Sequence, residues 1–252
     1  MQSISKELKV AIEGAKLGAE HAFKYFNSPL SVSYKNDNTP VTLADKESEV
    51  IIKRCILKSF PDANFVGEEG GGSTKRDKFW VIDPIDGTKL FIRGIPNWAV
   101  LIALVEKNEI ILGLCYFPNT KDVLYAQKGM GTFLNGKRVH VSSVADIKKA
   151  FFTFGNLKHF KNKKNPLFLI ETCGSSRSFD TAYNYSLLAS GRVDIAIDSF
   201  GVLWDIAPFK IMIEEAGGRV TSLLGKPWSF TDKGCIATNG LLQDDVVRIL
   251  NT

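Results

Sequence analysis

The sequence predicts an α/β (α+β) protein in which helices cover mixed sheets, and three patterns support that class. Apolar residues recur every three to four positions over 4–27 and 42–58, which is typical of amphipathic helices. Asn135-Gly136 predicts the tight turn of a β-hairpin. After Asp146, strand and helix patterns alternate, as they do where helices pack on a sheet.

Each half of the chain contributes its own predicted elements. The first half carries strands near 79–82, 98–104, 109–117 and 123–126. The second half carries strands near 151–154, 169–173, 193–197, 219–222 and 234–237, with helices near 178–190, 204–217 and 240–250. We therefore expect an N-terminal α+β half (1–145) and a C-terminal α/β half (146–252). At 252 residues and 44% hydrophobic content, the two can bury a substantial core as one unit.

Composition argues against several classes of protein. No apolar run approaches the roughly 20 residues of a membrane span, and Met1–Phe26 lacks the order of a signal peptide. The net charge of +5 would allow a nucleic-acid partner, but we expect none. The densest basic run, 158–164, belongs to no recognisable nucleic-acid-binding module and fits a solvated loop. The cysteines are scattered, which predicts free thiols in a reducing cytoplasm: Cys55, Cys115, Cys173 and Cys235.

The segment Asp83–Thr88 carries the strongest chemical signal. It follows an apolar run that predicts a buried strand, and Pro84 is expected to end that strand. Gly87 permits a sharp turn and leaves its amide and that of Thr88 available to an anion. Asp83 and Asp86 are oxygen ligands of the kind that Mg²⁺ prefers. Such a segment can hold metal ions against a phosphate.

Further acids occur at the starts of other elements, and each also has a purely structural interpretation. Glu68 lies in a Gly-rich loop after an apolar stretch. Thr42 and Asp45 have the spacing of a capping box at a helix start. Asp205 lies at the start of an apolar helix, where a carboxylate interacts favourably with the helix macrodipole. One shared metal site explains these acids more economically than separate caps and turns.

Three segments together resemble the signatures of the inositol monophosphatase superfamily, in order and in spacing: Gly67–Glu69, Asp83–Thr88 and Trp204–Pro208. The resemblance extends from about Ile4 to the C-terminal helix. It implies the layered α-β-α-β-α sugar-phosphatase fold, with the metal site between the halves, and a homodimer. It also implies a Mg²⁺-dependent phosphoric monoester hydrolase that uses two or three Mg²⁺ ions and acts on a small phosphorylated metabolite.

The resemblance also implies roles for individual residues. Glu68, Asp83 and the carbonyl of Ile85 would bind a first Mg²⁺, and Asp83, Asp86 and Asp205 a second. A third, weaker ion would lie near Glu68 and Asp45. Thr88, paired with Asp45, would orient and deprotonate the attacking water, so that Glu68, Asp45 and Thr88 form the catalytic set. The amides of Gly87 and Thr88 would bind phosphate oxygens, and no phosphoenzyme is expected.

The expected substrate is L-histidinol phosphate. Lys89, Arg93 and Trp98 resemble the branch of the superfamily that hydrolyses it in histidine biosynthesis, and all three are predicted to contact substrate. A place in the core is the alternative for Trp98. Arg177, Asp180 and Asp198 are predicted to do so as well, with one of the two carboxylates facing the ammonium group of the substrate. Inositol 1-phosphate and 3'-phosphoadenosine 5'-phosphate stay open as substrates. A non-catalytic module that binds metal and a phosphometabolite is the alternative of a different class.

Overall fold

Helices and sheets alternate in five layers in a computed structural model that describes residues 4–28, 33–34, 40–179 and 181–251. The described helices are α1 (Lys6–Phe23), α2 (Leu43–Ser59), α3 (Thr88–Phe91), α4 (Lys164–Thr172), α5 (Thr181–Ala189), α6 (Leu203–Glu215) and α7 (Gln243–Leu250). Among them, no helix is both long and apolar enough to cross a membrane.

The strands number from the N-terminus. The first ten are β1 (Ser33–Tyr34), β2 (Pro40–Val41), β3 (Phe65–Gly67), β4 (Gly71–Gly72), β5 (Lys78–Asp86), β6 (Ala99–Glu106), β7 (Glu109–Phe117), β8 (Asp122–Gln127), β9 (Gly131–Leu134) and β10 (Lys137–Val139). The later ones are β11 (Phe151–Phe154), β12 (Ser175–Ser178), β13 (Ile195–Asp198), β14 (Arg219–Thr221) and β15 (Cys235–Thr238).

Two large sheets contain nearly all of these strands. The first has eight strands in the order β10-β9-β8-β7-β6-β5-β3-β4, with β3 and β5 parallel and the other pairs antiparallel. The second has five strands in the order β12-β11-β13-β15-β14, with β11 parallel to both of its neighbours. The strands β1 and β2 pair separately.

Packing of apolar side chains orders the layers as α-β-α-β-α. The helices α1 and α2 cover one face of the eight-stranded sheet through Leu8, Ile52 and Ile56. The helices α5 and α6 lie between the two sheets, where Met212 is fully buried. The helices α4 and α7 cover the outer face of the five-stranded sheet. This confirms the fold expected from the resemblance.

The backbone of α6 approaches β7 very closely at Gly113. A Cβ atom placed on that glycine would lie 2.2 Å from the carbonyl oxygen of Pro208, so only glycine fits there. The contact packs the first half of α6 against the middle of the eight-stranded sheet. The first turn of α6, which contains Asp205, lies one turn before this contact.

Several local predictions are confirmed. Thr42 and Asp45 form the predicted capping box at the start of α2. Asn135 and Gly136 join β9 to β10 with φ angles of 52° and 77°, as the two-residue turn requires. All of the cysteines are buried and free, and burial raises the pKa of each thiol, that of Cys173 to about 11.

Two predictions of strands are wrong. Residues 169–173 lie mostly in α4, where Leu169 is buried while Leu167 and Phe168 are exposed, so the apolar run has one buried face only. Pro166 in the first turn suits a helix start. Pro84 does not end its strand, because β5 continues to Asp86 through a bulge.

Candidate active site

The bulge in β5 brings two carboxylates to one side of the strand. Asp83 pairs with Leu101 and Asp86 with Ala99, so three steps along β5 match two steps along β6. In a regular strand, residues three apart point to opposite faces; one extra residue turns the second side chain to the same side as the first. Pro84, which has no N–H for the ladder, lies within this irregular step.

A third carboxylate comes from α6. Asp205 is the third residue of that helix and accepts a hydrogen bond from the backbone N–H of Val202 at 2.7 Å, as in a capping box. Its carboxylate and those of Asp83 and Asp86 offer oxygen atoms that all lie within 4.8 Å of one another. Asp205 therefore has both roles that the sequence allows. Its carboxylate caps α6 and also lies close to the two carboxylates of β5.

Electrostatic repulsion is strong at this cluster. The pKa of Asp83 lies well above its usual range, first because the carboxyl is buried and then because Glu68, Asp86 and Asp205 carry like charge. The carboxyl of Glu68 is close enough to share a hydrogen bond with Asp83. A buried set of oxygen ligands that repel one another fits a hard divalent cation such as Mg²⁺.

Thr88 and Asp45 form a hydrogen-bonded pair next to the cluster. The hydroxyl of Thr88 lies 3.0 Å from Oδ1 of Asp45 and 3.0 Å from the carbonyl oxygen of Ile85, and it can donate its proton to one of them at a time. The other oxygen of Asp45 accepts from the N–H and hydroxyl of Thr42 at 2.8 and 2.6 Å. Burial raises the pKa of Asp45 despite these donors.

Gly87 forms the turn from β5 into α3. Its φ angle of 90° is one that residues with a Cβ rarely adopt. A Cβ atom there would also lie 3.1 Å from the carbonyl oxygen of Asn97, so the turn is packed against the segment before β6. The turn thereby places Gly87 and Thr88 directly after Asp86, at the end of β5.

A cavity of about 590 Å³ adjoins the turn. Its walls come from both halves of the chain and combine apolar side chains with amides and a hydroxyl: Leu90, Asn97, Phe154, Gly155, Asn156, Leu157, Ser178 and Phe179. Sequence reasoning singled out the neighbours of several of these residues but not the residues themselves. Only the packing of distant segments identifies them.

Asp198 lies behind the wall of this cavity. A Cβ atom placed on the cavity residue Gly155 would lie 3.7 Å from the carboxylate of Asp198, and one on Gly201 would lie 3.2 Å from it. The carboxylate also accepts from the backbone N–H of Phe200 at 2.8 Å. The buried carboxylate of Asp198 therefore lies next to Gly155, one of the residues that line the cavity.

The remaining predicted substrate residues are placed differently. Lys89, Arg93 and Arg177 are exposed, and the cavity is lined by Leu90 and Ser178, the neighbours of Lys89 and Arg177. The guanidinium of Arg93 donates to the carbonyl of Lys89 at 3.4 Å, and that of Arg177 to the carbonyl of Ser176 at 2.6 Å. Asp180 lies outside the described residues.

The prediction that Trp98 contacts substrate is wrong in this structure. The indole is 1% exposed and has aromatic neighbours on several sides, with ring centroids 5.0–6.1 Å from those of Phe23, Phe26 and Phe91. Trp98 is a core residue because α1 and α3 close over it.

Comparisons with known proteins identify the family of this chain. The model of the Inositol monophosphatase family matches residues 3–252. A Histidinol-phosphatase of Mycobacterium tuberculosis is 38% identical over 231 residues, 88% of each chain. A Fructose-1,6-bisphosphatase/inositol-1-monophosphatase of Thermotoga maritima is 38% identical over 216 residues, covering 84% of this chain and 82% of that one.

A solved structure of a related protein has the same fold. The IMPase of Thermotoga maritima superposes with a TM-score of 0.92 at 33% identity, over 98% of this chain and 97% of that one. The family match covers almost the whole chain and includes every acid of the cluster. The protein therefore belongs to the inositol monophosphatase family and is a phosphatase.

Proposed function

We propose that the protein is a Mg²⁺-dependent phosphomonoesterase that hydrolyses L-histidinol phosphate to L-histidinol by direct attack of water. The observation that carries the proposal is the convergence of Asp83, Asp86 and Asp205 within 4.8 Å, next to the Thr88–Asp45 pair. Hydrolysis of a phosphate monoester is among the slowest uncatalysed reactions, and a cluster of this kind is suited to it.

The acids would hold the metal ions in two overlapping sets. Glu68, Asp83 and the carbonyl of Ile85 would hold one Mg²⁺, and Asp83, Asp86 and Asp205 a second. When bound there, Mg²⁺ supplies positive charge that offsets the phosphate and lowers the pKa of a water molecule. Two observations support this assignment: Glu68 lies close to Asp83, and the pKa of Asp83 is raised. Both are expected where several carboxylates repel one another and a bound cation would reduce the repulsion.

The protein groups would orient and deprotonate the water. The hydroxyl of Thr88 donates to Oδ1 of Asp45, so its lone pairs point away from Asp45 and can accept a proton from water. As Thr88 takes that proton, its own proton would pass to Oδ1 of Asp45. The raised pKa of Asp45 supports such a role as base. The amides of Gly87 and Thr88 would bind phosphate oxygens.

The cavity supports a substrate with a flat, partly apolar body. Phe154 and Phe179 offer aromatic surfaces for an imidazole ring, while Asn97 and Asn156 offer amide groups for its nitrogen atoms. Asp198 lies behind Gly155, where it would face the ammonium group of histidinol. Lys89 on α3 and Arg93 just after that helix are exposed and would attract the phosphate dianion as it approaches.

One relative supports a second candidate, a sugar or inositol phosphatase. The Thermotoga maritima protein is named for fructose 1,6-bisphosphate and inositol 1-phosphate and is as identical to this chain as the histidinol-phosphatase is. Its name favours a broader specificity, in which the phosphate site determines turnover and the cavity discriminates weakly. 3'-Phosphoadenosine 5'-phosphate is a further alternative substrate.

Phosphate release in the presence of Mg²⁺ tests the proposal. The panel is histidinol phosphate, inositol 1-phosphate, fructose 1,6-bisphosphate and 3'-phosphoadenosine 5'-phosphate. We expect kcat/KM for histidinol phosphate to exceed the others by at least about a hundredfold, which is about 2.7 kcal/mol in the transition state. Comparable rates on another substrate would contradict the specificity, and no release from any of them would favour the non-catalytic binding module.

We further propose that the enzyme acts in the cytoplasm as a homodimer. The buried free thiols of Cys55, Cys115, Cys173 and Cys235 support a reducing compartment, because none of them forms a disulfide among the described residues. Sedimentation equilibrium of the full chain at micromolar concentration would test the dimer, with a mass near twice 27.9 kDa as the expected result.

A further inference from the structure

Glu49 is a buried carboxylate that the proposed chemistry does not use. It lies on α2, one turn after Asp45, and is 2% exposed. Three donors converge on it: Nζ of Lys53 at 2.5 Å from Oε1, the backbone N–H of Gly70 at 2.9 Å from Oε1, and that of Glu69 at 2.8 Å from Oε2. Two of these donors belong to the turn that immediately follows Glu68.

Two glycines leave the space that this carboxylate occupies. A Cβ atom on Gly67 would lie 2.5 Å from Oε1 of Glu49, and one on Gly70 would lie 2.6 Å from the same oxygen. Real Cβ atoms do not approach so closely, so any other residue would displace either the carboxylate or the turn. The Gly-rich loop seen in the sequence is thus shaped around Glu49.

The backbone of Glu68 is consequently held from two sides. Its own N–H donates to the carbonyl oxygen of Ile82 on β5 at 3.1 Å, one residue before Asp83. The next two N–H groups along the chain donate to Glu49. With the backbone held in this way, the carboxyl of Glu68 lies beside that of Asp83 despite their repulsion.

Lys53 makes the burial of Glu49 tolerable. Its ammonium group lies within the same cluster of contacts and over the ring of Phe65, 5.7 Å from the centroid. A buried carboxylate with a cation and two N–H donors has most of its lost hydration replaced. The charge of Glu49 is therefore compensated by its own neighbours. Glu49 is thus not expected to compete with the cluster at Asp83 for a cation from solution.

We propose that Glu49 is a positioning residue, which fixes the turn at Glu69 and Gly70 so that Glu68 faces Asp83 before any metal ion binds. Residues that hold metal ligands in position, without binding the metal themselves, commonly affect metal affinity. The proposal rests on the proposed function only in assigning Glu68 to Mg²⁺. Its structural part, the clamp on the turn, can be tested without substrate or turnover.

The test combines amide hydrogen exchange with Mg²⁺ titration on the metal-free full chain. In Glu49→Gln, one acceptor oxygen is lost, so we expect the amides of Glu69 and Gly70 to exchange at least about tenfold faster. Calorimetric titration with Mg²⁺ should give a Kd raised by about 10- to 100-fold. Glu47→Gln is the matched control, because Glu47 lies on the same helix but pairs with His21 and Tyr25.

Gly67→Ala provides an independent route, since it keeps Glu49 but pushes the turn away from it. It should accelerate exchange of the same two amides and weaken Mg²⁺ binding, while Glu47→Gln changes neither. Unchanged exchange at Glu69 and Gly70 in both Glu49→Gln and Gly67→Ala would overturn the proposal. So would faster exchange with an unchanged Kd for Mg²⁺. Loss of phosphatase activity alone would speak to the proposed function and not to Glu49.

Discussion

Two of the buried aspartates, Asp194 and Asp83, have surroundings that differ in character. Asp194, 5% exposed, accepts from the hydroxyl of Ser142 and from the backbone N–H of Phe151 at 2.6 Å. Asp83, 2% exposed, accepts one hydrogen bond from the backbone N–H of Ile85 at 3.0 Å. Burial raises its pKa, and the like charges of Glu68, Asp86 and Asp205 raise it further.

The contrast separates a structural carboxylate from a functional one. Donors around Asp194 replace the water that it lost on burial, so it stabilises the junction between β11 and the segment before it. Like charges around Asp83 make burial unfavourable, and a bound cation would relieve the repulsion. Burial of an acid does not by itself indicate a site; burial among other acids does.

The largest expected effect tests whether the acid cluster carries the reaction. Asp86→Asn should lower kcat/KM for the true substrate by about a thousandfold or more, since a carboxylate ligand is lost. In the wild type, the backbone N–H of Ala182 donates to Oδ2 of Asp86 at 3.1 Å. The amide oxygen of asparagine can accept the same hydrogen bond, so the fold should persist. Initial rates over a range of Mg²⁺ concentrations measure the change.

Asp194→Asn is the comparison for that variant. It should reduce the yield of folded protein but leave the turnover of each folded molecule unchanged, because its side chain binds Ser142 and Phe151, which are not part of the cluster. Equal losses of turnover in the two variants would contradict the distinction between the two sites.

A smaller loss is expected at Thr88. Thr88→Val removes the hydroxyl that joins the site to Asp45, and kcat should fall by about 10²- to 10⁴-fold with little change in KM. Thr88→Ser keeps the hydroxyl and should retain most of the activity. If valine and serine behave alike, the hydroxyl takes no part in activating water.

Thermal unfolding of the metal-free protein should move in opposite directions at the two sites. Asp194→Asn should cost about 2 kcal/mol and lower Tm by about 4–8 °C, because the amide offers one acceptor oxygen where two are used by Ser142 and Phe151. Asp83→Asn removes one of the repelling charges and should raise Tm. It should also abolish the increase in Tm that Mg²⁺ produces in the wild type. A lowered Tm for both variants would show that repulsion at Asp83 is negligible.

At Asp198 the expected effect is on recognition. Asp198→Ala should raise KM for histidinol phosphate by about tenfold, or about 1.4 kcal/mol, through loss of a partner for the ammonium group. KM for inositol 1-phosphate should change much less. Parallel Michaelis–Menten measurements decide the matter, and equal changes for the two substrates would remove Asp198 from the recognition site.

The smallest effect concerns pH. The raised pKa values of Asp83 and Asp45 mean that, in the metal-free protein, these groups favour folding most below the unfolded pKa near 3.8. That contribution is lost as pH rises through the folded pKa values. The increase in Tm caused by Mg²⁺ should therefore be larger at pH 8 than at pH 5.5, and Asp83→Asn should flatten the difference. A larger increase at the lower pH would contradict the sign.

Much of the site could be predicted from sequence because its ligands come in short motifs. The string Asp83–Thr88 predicts two acids and a turn, although the bulge that places both acids on one side became visible only in the pairing of β5 with β6. The Thr42–Asp45 box was correctly predicted as a cap, and only the fold shows that Oδ1 of Asp45 also meets Thr88.

The cavity could not be predicted in the same way. Its lining residues Asn97, Asn156 and Ser178 come from three distant segments, and no local pattern relates them. Trp98 was assigned to substrate from its neighbours in sequence, yet packing of α1 buries it among aromatic rings. The apolar run 169–173 predicts a strand, but the segment is helical because only one of its faces is buried.

Calorimetric titration of the metal-free protein with Mg²⁺, run in parallel on the wild type and Asp83→Asn, tests the central claim most directly. The claim is that the buried acids at the end of β5 and the start of α6 form a cation site. We expect at least one Mg²⁺ to bind the wild type and binding to be lost in Asp83→Asn. Equal binding to both proteins, or none to the wild type, would contradict the claim.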